Sequence, residues 1–172
     1  MKMIVIGMFL SVSAWAVNPN PGPPLKIELK NGKGESVGWA TLSEKPDAMN
    51  IVVEVSKLSP GKHGIHIHGQ GMCDGPDFKS AGGHFNPESK KHGLLNSEGP
   101  HEGDLPNLDV AADGKGKAVL VAKRAHFTPG SLYQSSGTAL VIHAKEDDQK
   151  SDPAGNSGDR VACAVIHPPE KH

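Results

Sequence analysis

Aromatic side chains are scarce in this sequence: 172 residues include four phenylalanines, two tryptophans and one tyrosine. A core built from this chain must be filled mostly by valine, isoleucine, leucine and alanine. Excess charge of one sign is also missing, since 18 basic and 19 acidic side chains leave a formal net charge of −1. So balanced a chain gives no reason to expect nucleic-acid binding. The apolar run from Ile4 to Val12 is too short to span a bilayer. No amphipathic helical pattern, internal repeat or second compositional regime appears, which points to a single domain. Cysteine occurs only at Cys73 and Cys163.

The first 16 residues have the layout of a secretory signal. Lys2 supplies the positive start, Ile4 to Val12 the apolar segment, and Ala14-Trp15-Ala16 a small-residue cleavage site. The competing reading is an uncleaved anchor helix. No cysteine follows the apolar run to take a lipid, and cleavage after Ala16 removes Lys2, taking the net charge from −1 to −2. The expectation is a periplasmic or secreted protein with no stable membrane association once the signal is gone. In an oxidising compartment, Cys73 and Cys163 most simply form one disulfide, the alternative being two buried thiols. Such a bond closes a loop of about 90 residues, for which chain entropy gives about 4–5 kcal/mol as an upper guide. Residues 17–24 carry four prolines and read as a leader that forms neither helix nor central strand. The domain proper is predicted over 25–166, followed by a solvated tail at 167–172.

Within 25–166 the hydrophobic period is two. Leu25, Ile27 and Leu29 alternate with Lys26, Glu28 and Lys30, and Met49, Ile51, Val53 and Val55 alternate again. Asn31-Gly32-Lys33-Gly34 and Ala112-Asp113-Gly114-Lys115-Gly116 are hairpin signals. With Val37–Leu42, the His66/His68 segment, Leu108–Ala111, Ala118–Ala122, Thr138–His143 and Arg160–Ile166, about eight short strands result. The fold class is all-β, a sandwich or flattened barrel, interrupted by two long loops at 69–106 and 144–159.

Most of the ten histidines lie between His63 and Asp104. Ile65 and Ile67 alternate with His66 and His68, so a strand puts two isoleucines on one face and two imidazoles on the other. Paired imidazoles on a stiff strand suit copper or zinc, although exposed strand histidines would look the same. His84, His92, His101 and Asp104 are spread over a loop of glycine, proline, lysine and serine. Three imidazoles and a carboxylate make a closed tetrahedral zinc set, which would pin a loop too polar to fold unaided. A long solvated loop is the other reading. His143 ends a strand and either joins His66 and His68 or stands alone.

With these motifs in order, the chain closely resembles the copper,zinc superoxide dismutases over about residues 25–166. Pro60 to His68, residues 81–104, Leu140 to Asp148 and Gly155 to Cys163 resemble four successive segments of that family. The resemblance implies an eight-stranded Greek-key β-barrel and dismutation of superoxide to dioxygen and hydrogen peroxide in antioxidant defence. It implies one copper on His66, His68, His84 and His143, and one zinc on His84, His92, His101 and Asp104. His84 is then the bridging and proton-carrying imidazole. Asp147 resembles the carboxylate that hydrogen-bonds one ligand of each metal, here His66 and His92. Arg160 resembles the guanidinium that draws superoxide in. His63 falls at a structural position, and a homodimer is a further expectation. Asp159 precedes Arg160, where the family more often has a small or neutral residue, and strand alternation directs it away. A catalytically idle copper- and zinc-binding protein on the same fold is the alternative.

Overall fold

A computed structural model describes residues 22–167. The signal segment, most of the leader and residues 168–172 of the tail lie outside the described residues. Nine strands form one antiparallel sheet: β1 (Leu25–Lys30), β2 (Ser36–Lys45), β3 (Ala48–Val55), β4 (Gly61–His63), β5 (Ile65–His68), β6 (Leu108–Val110), β7 (Gly116–Lys123), β8 (Thr138–His143) and β9 (Arg160–Ile166). Their spatial order is β4-β6-β7-β3-β2-β1-β9-β8-β5. Thus β3 lies beside β7 rather than β4, and β9 returns beside β1, the crossovers of a Greek key. Among the described residues, no helix is long and apolar enough to cross a membrane.

The count of nine instead of eight has a local cause. The two terminal strands of the sheet, β4 and β5, are one chain segment interrupted at Gly64. β4 pairs with β6, whereas β5 pairs with β8. The segment therefore joins the two ends of the sheet and nearly closes it into a barrel. At this corner Gly64 donates to the Lys145 carbonyl (2.8 Å) and accepts from the His143 amide (2.8 Å). A Cβ on Gly64 would sit 2.8 Å from Ser157 Cβ, so any larger residue would push the 144–159 loop off the corner.

Period-two patterning fills the barrel as expected. Met49, Ile51 and Val53 of β3 are fully buried and alternate with less buried Asn50, Val52 and Glu54. They pack with Leu29, Leu42, Ile65, Ile67, Leu140, Ile142 and Ile166 in one cluster that contains a single phenylalanine, Phe85. Each such side chain contributes about 1.5–3 kcal/mol on burial. A smaller cluster of Phe78, Ala81, Ala139, Val141 and Cys163 lies under the first part of the long loop.

Candidate metal centre

β5 ends the sheet, with β8 on one side and a free edge on the other. Ile65 and Ile67 enter the core, leaving His66 and His68 on the opposite face. The long loop then satisfies the free edge: Ile67 N–H donates to Gly103 O (2.8 Å), and Phe85 N–H donates to Ile67 O (2.8 Å). Phe85 is buried and anchors this return. Gly103 is required by the close approach, because a side chain there would collide with the Ile67 carbonyl. As a result, Asp104 lies opposite His66 and His84 opposite His68. Residues up to 38 positions apart are brought together by a short run of backbone hydrogen bonds.

The first constellation comprises His66, His68, His84 and His143, with one ring nitrogen of each within 4.8 Å of the others. The outward nitrogens of two rings are committed to carbonyl acceptors: His68 Nδ1–H donates to Gly82 O (2.9 Å) and His143 Nδ1–H to Gly158 O (3.1 Å). In the neutral rings their Nε2 atoms therefore carry lone pairs, and those atoms approach to 3.4 Å. Two lone pairs cannot hydrogen-bond each other. His66 Nδ1 and His84 Nε2 are buried beside them without any hydrogen-bond partner. Four inward nitrogens short of donors fit a cation that accepts imidazole ligands, and copper is such a cation.

The second constellation centres on Asp104. Its Oδ1 lies 2.9 Å from His84 Nδ1, 3.0 Å from His92 Nδ1 and 3.2 Å from His101 Nδ1. Its Oδ2 accepts instead from the amides of Gly93 (2.8 Å) and His101 (3.0 Å), which fixes the carboxylate. Three imidazoles and one carboxylate are a zinc donor set. By mutual distance alone, His66 groups with His84, His92 and Asp104, while His101 falls outside that foursome. His66 enters it because its ring stacks on His84 with centroids 4.0 Å apart. Its Nε2 is already bound to Asp147, however, whereas His101 Nδ1 is also 3.4 Å from His84 Nδ1 and faces the set.

Asp147 spans the two constellations, its Oδ2 2.6 Å from His66 Nε2 and its Oδ1 3.0 Å from His92 Nε2. With no metal bound, burial pushes His66 down to about 3 against the pull of Asp147, and pushes His143 down to about 4. Burial lowers His68 and His84 as well. For His92 burial also opposes charge, but Asp104 and Asp147 at its two nitrogens prevail and raise it to about 9. Burial would raise both carboxyls, yet hydrogen bonds from the imidazoles outweigh it and hold Asp104 and Asp147 well below the usual carboxylate range. The site therefore separates neutral, metal-ready rings on one side from a charged carboxylate–imidazole cluster on the other.

Arg160 begins β9, opposite His143 in register. Its guanidinium donates to Phe78 O (2.5 Å) and Gly82 O (2.6 Å). Burial lowers its pKa and the Asp77 carboxylate raises it. Asp159 is exposed. Cys73 and Cys163 are joined in a disulfide with Cα atoms 5.7 Å apart, 90 residues apart in sequence. His63 is buried with its ring between the carbonyls of His143 (2.7 Å) and Ser59 (2.8 Å), away from both constellations.

The expected imidazoles, Asp104, Asp147 and Arg160 thus lie together here, whereas Cys73 and Cys163 form their disulfide outside both constellations. Participants that were not foreseen include the Gly82 and Gly158 carbonyls, Asn107, and Gln149, whose amide donates to Asp147 Oδ1 (2.6 Å). None carries a signal in the sequence, because each acts through a backbone group or upon one.

The family model described as "Copper/zinc superoxide dismutase (SODC)" matches residues 36–166. A curated protein from Aquifex aeolicus, "Superoxide dismutase [Cu-Zn] 1", is 48% identical over 143 residues, covering 81% of this chain and 85% of that one. The crystal structure of a SOD-like protein from Bacillus subtilis superposes with a TM-score of 0.78 at 38% identity, covering 82% of this chain and 97% of that one. A Cu/Zn superoxide dismutase from Brucella abortus superposes with a TM-score of 0.70 at 30% identity, covering 84% and 100%.

Proposed function

Because the chain belongs to the copper/zinc superoxide dismutase family, we propose that His66, His68, His84 and His143 hold its copper and that His84, His92, His101 and Asp104 hold its zinc. The protein is a superoxide dismutase with one copper and one zinc per chain, converting two superoxide anions and two protons into dioxygen and hydrogen peroxide. Bound copper supplies a one-electron redox couple, while bound zinc, lacking redox chemistry, serves as scaffold. The observation that carries the reading is the donor-poor set of four inward imidazole nitrogens, including the orphaned His66 Nδ1 and His84 Nε2.

The chain's own groups then divide the work. The carbonyls of Gly82 and Gly158 fix the tautomers of His68 and His143. Asp147 fixes His66 and His92 together and keeps the two sets in register. His84 offers one nitrogen to each set, and its Nε2 is the atom that holds a proton for the departing peroxide. Arg160 provides a fixed positive charge that attracts and orients the superoxide anion, which speeds encounter without a large net charge on the protein. The formed disulfide and the signal-like N-terminus favour a periplasmic or secreted location.

Metal analysis of the purified, fully loaded protein together with a superoxide-consumption assay tests this. One copper and one zinc per chain with rapid superoxide consumption is expected. Full loading with no turnover above the uncatalysed rate would establish the idle metal-binding protein instead.

A further inference from the structure

Several hydrogen bonds tie the two long loops to each other, and one pair of them lies at Asp147, directly behind its contacts to the imidazoles. Asn107, the residue before β6, pairs its side-chain amide with the backbone of Asp147 in both directions. Its Nδ2 donates to Asp147 O (2.9 Å), and its Oδ1 accepts from Asp147 N–H (2.9 Å). The carboxylate on that same residue reaches His66 and His92. A second rung lies beside it, where Gln149 Nε2 donates to Leu105 O (3.2 Å) and Gln149 N–H donates to Asp147 Oδ1. Among the described residues the Asn107 side chain makes no hydrogen bond to an imidazole, and it lies 40 positions from Asp147 in sequence.

We infer that Asn107 is a positioning residue for the metal centre: it holds the Asp147 backbone at the rim of the barrel, so that one carboxylate meets His66 and His92 at once. The inference rests on the ligand assignment proposed above. A carboxylate bridging two rings tolerates little rotation or displacement, since a hydrogen bond weakens steeply once its angle falls below about 120°. Asp147 otherwise sits in the 144–159 loop, which has no strand or helix of its own. The paired bonds to Asn107 connect it to β6 and thus to the sheet. A primary amide is required, because both the donor and the acceptor are used. Aspartate keeps the acceptor and loses the donor, while serine is too short to reach both groups.

The test compares Asn107→Ala, Asn107→Asp and Asp147→Ala with the wild type and with the Asn107→Ala/Asp147→Ala double variant. Zinc affinity is read by chelator competition. Cobalt placed in the zinc site and copper in the copper site are read by visible absorption. Loss of a group that orients a metal ligand typically costs about 10–100-fold in affinity. Asn107→Ala should weaken zinc by about 10-fold and change the copper spectrum through His66, Asn107→Asp should fall between it and the wild type, and Asp147→Ala should be the most severe. In the Asp147→Ala background, adding Asn107→Ala should change zinc affinity less than 2-fold, roughly the scatter of such cycles. If Asp147→Ala weakens zinc but Asn107→Ala leaves affinity and both spectra unchanged, the role of Asn107 is overturned and the ligand assignment stands. An equal loss from Asn107→Ala in both backgrounds also overturns it, showing a general effect on folding. If Asp147→Ala itself leaves both metals unaffected, the bridging role of Asp147 fails with it.

Discussion

Arg160 and His68 share one acceptor: Arg160 Nη2 and His68 Nδ1 both donate to the carbonyl oxygen of Gly82, at 2.6 and 2.9 Å. The charge proposed to attract the anion and a ring proposed to hold copper are therefore positioned by one backbone atom. The arginine's second bond, to Phe78 O, fixes the guanidinium plane. A lysine has no fork with which to reproduce this.

Arg160→Ala should lower superoxide turnover while leaving copper and zinc contents normal, and Arg160→Glu should lower it further. Added salt should slow the wild type, because screening shortens the reach of the charge to about 8 Å near physiological ionic strength. Asp159→Asn should change turnover little, since Asp159 is exposed and the carboxylate that acts on Arg160 is Asp77. Steady-state rates over a salt series, with metal analysis of each variant, check all three. Normal turnover in metal-replete Arg160→Ala would remove the guiding role.

His101 contributes the third imidazole around Asp104 Oδ1. His101→Ala should strip zinc on dialysis against a chelator and loosen residues 69–106, while copper remains partly bound through His66, His68 and His143. Elemental analysis and hydrogen exchange measure the two effects. Unchanged zinc content would remove His101 from the zinc set, leaving the stacked His66 as the competing member.

The strands and the clustered imidazoles were legible in the sequence for different reasons. β1 and β3 bury alternate residues, and although all four residues of β5 are buried, the alternation of Ile65 and Ile67 with His66 and His68 announced which way the imidazoles point. His84, His92, His101 and Asp104 stood out because their residue types are chemically unusual in a polar loop. The split of one strand into β4 and β5 was not legible, because both halves keep a strand-like pattern and only pairing with different neighbours separates them. Asn107 was equally silent. An asparagine before a strand looks like turn chemistry, and its partner is the backbone of a residue 40 positions away. Side-chain pattern records burial and chemistry, but it does not record which backbone atoms meet.

The disulfide acts on the same Gly82 carbonyl from a distance. It ties Cys73 to β9 at the start of the segment that runs through Phe78 and Ala81 to Gly82. Cys73→Ser should cost about 2–5 kcal/mol of stability in urea unfolding, as removal of a native disulfide does in small secreted domains. Hydrogen exchange should rise first at residues 70–83, before residues 92–104. Turnover should fall more than zinc content, because Arg160 and His68 lose their common acceptor whereas Asp104 keeps all its contacts. Zinc loss equal to or ahead of the loss of turnover would contradict this order.

The metal-free protein should be most stable near pH 7, a consequence of two opposed groups of histidines. His66 and His143, at about 3 and about 4, titrate below the unfolded value of about 6.5. As pH falls below about 6.5 the unfolded chain takes up protons that the folded chain refuses, so stability declines, by at most about 1.4 kcal/mol per pH unit for each ring. His68 and His84 are lowered by burial and add to this limb. His92 has the opposite sign. Raised to about 9, its contribution is complete below about pH 6.5 and disappears as pH rises through about 9. Asp104 and Asp147, both held low, lose their contribution only below about pH 4, where the unfolded carboxyls take up protons. Urea midpoints of chelator-treated protein at about pH 5, 7 and 8.5 should therefore pass through a maximum at the middle one, on the order of 1 kcal/mol or more above each neighbour. His92→Gln should flatten the alkaline limb and leave the acid limb in place. A profile rising steadily to pH 8.5 would show that His92 is not held charged between its two carboxylates.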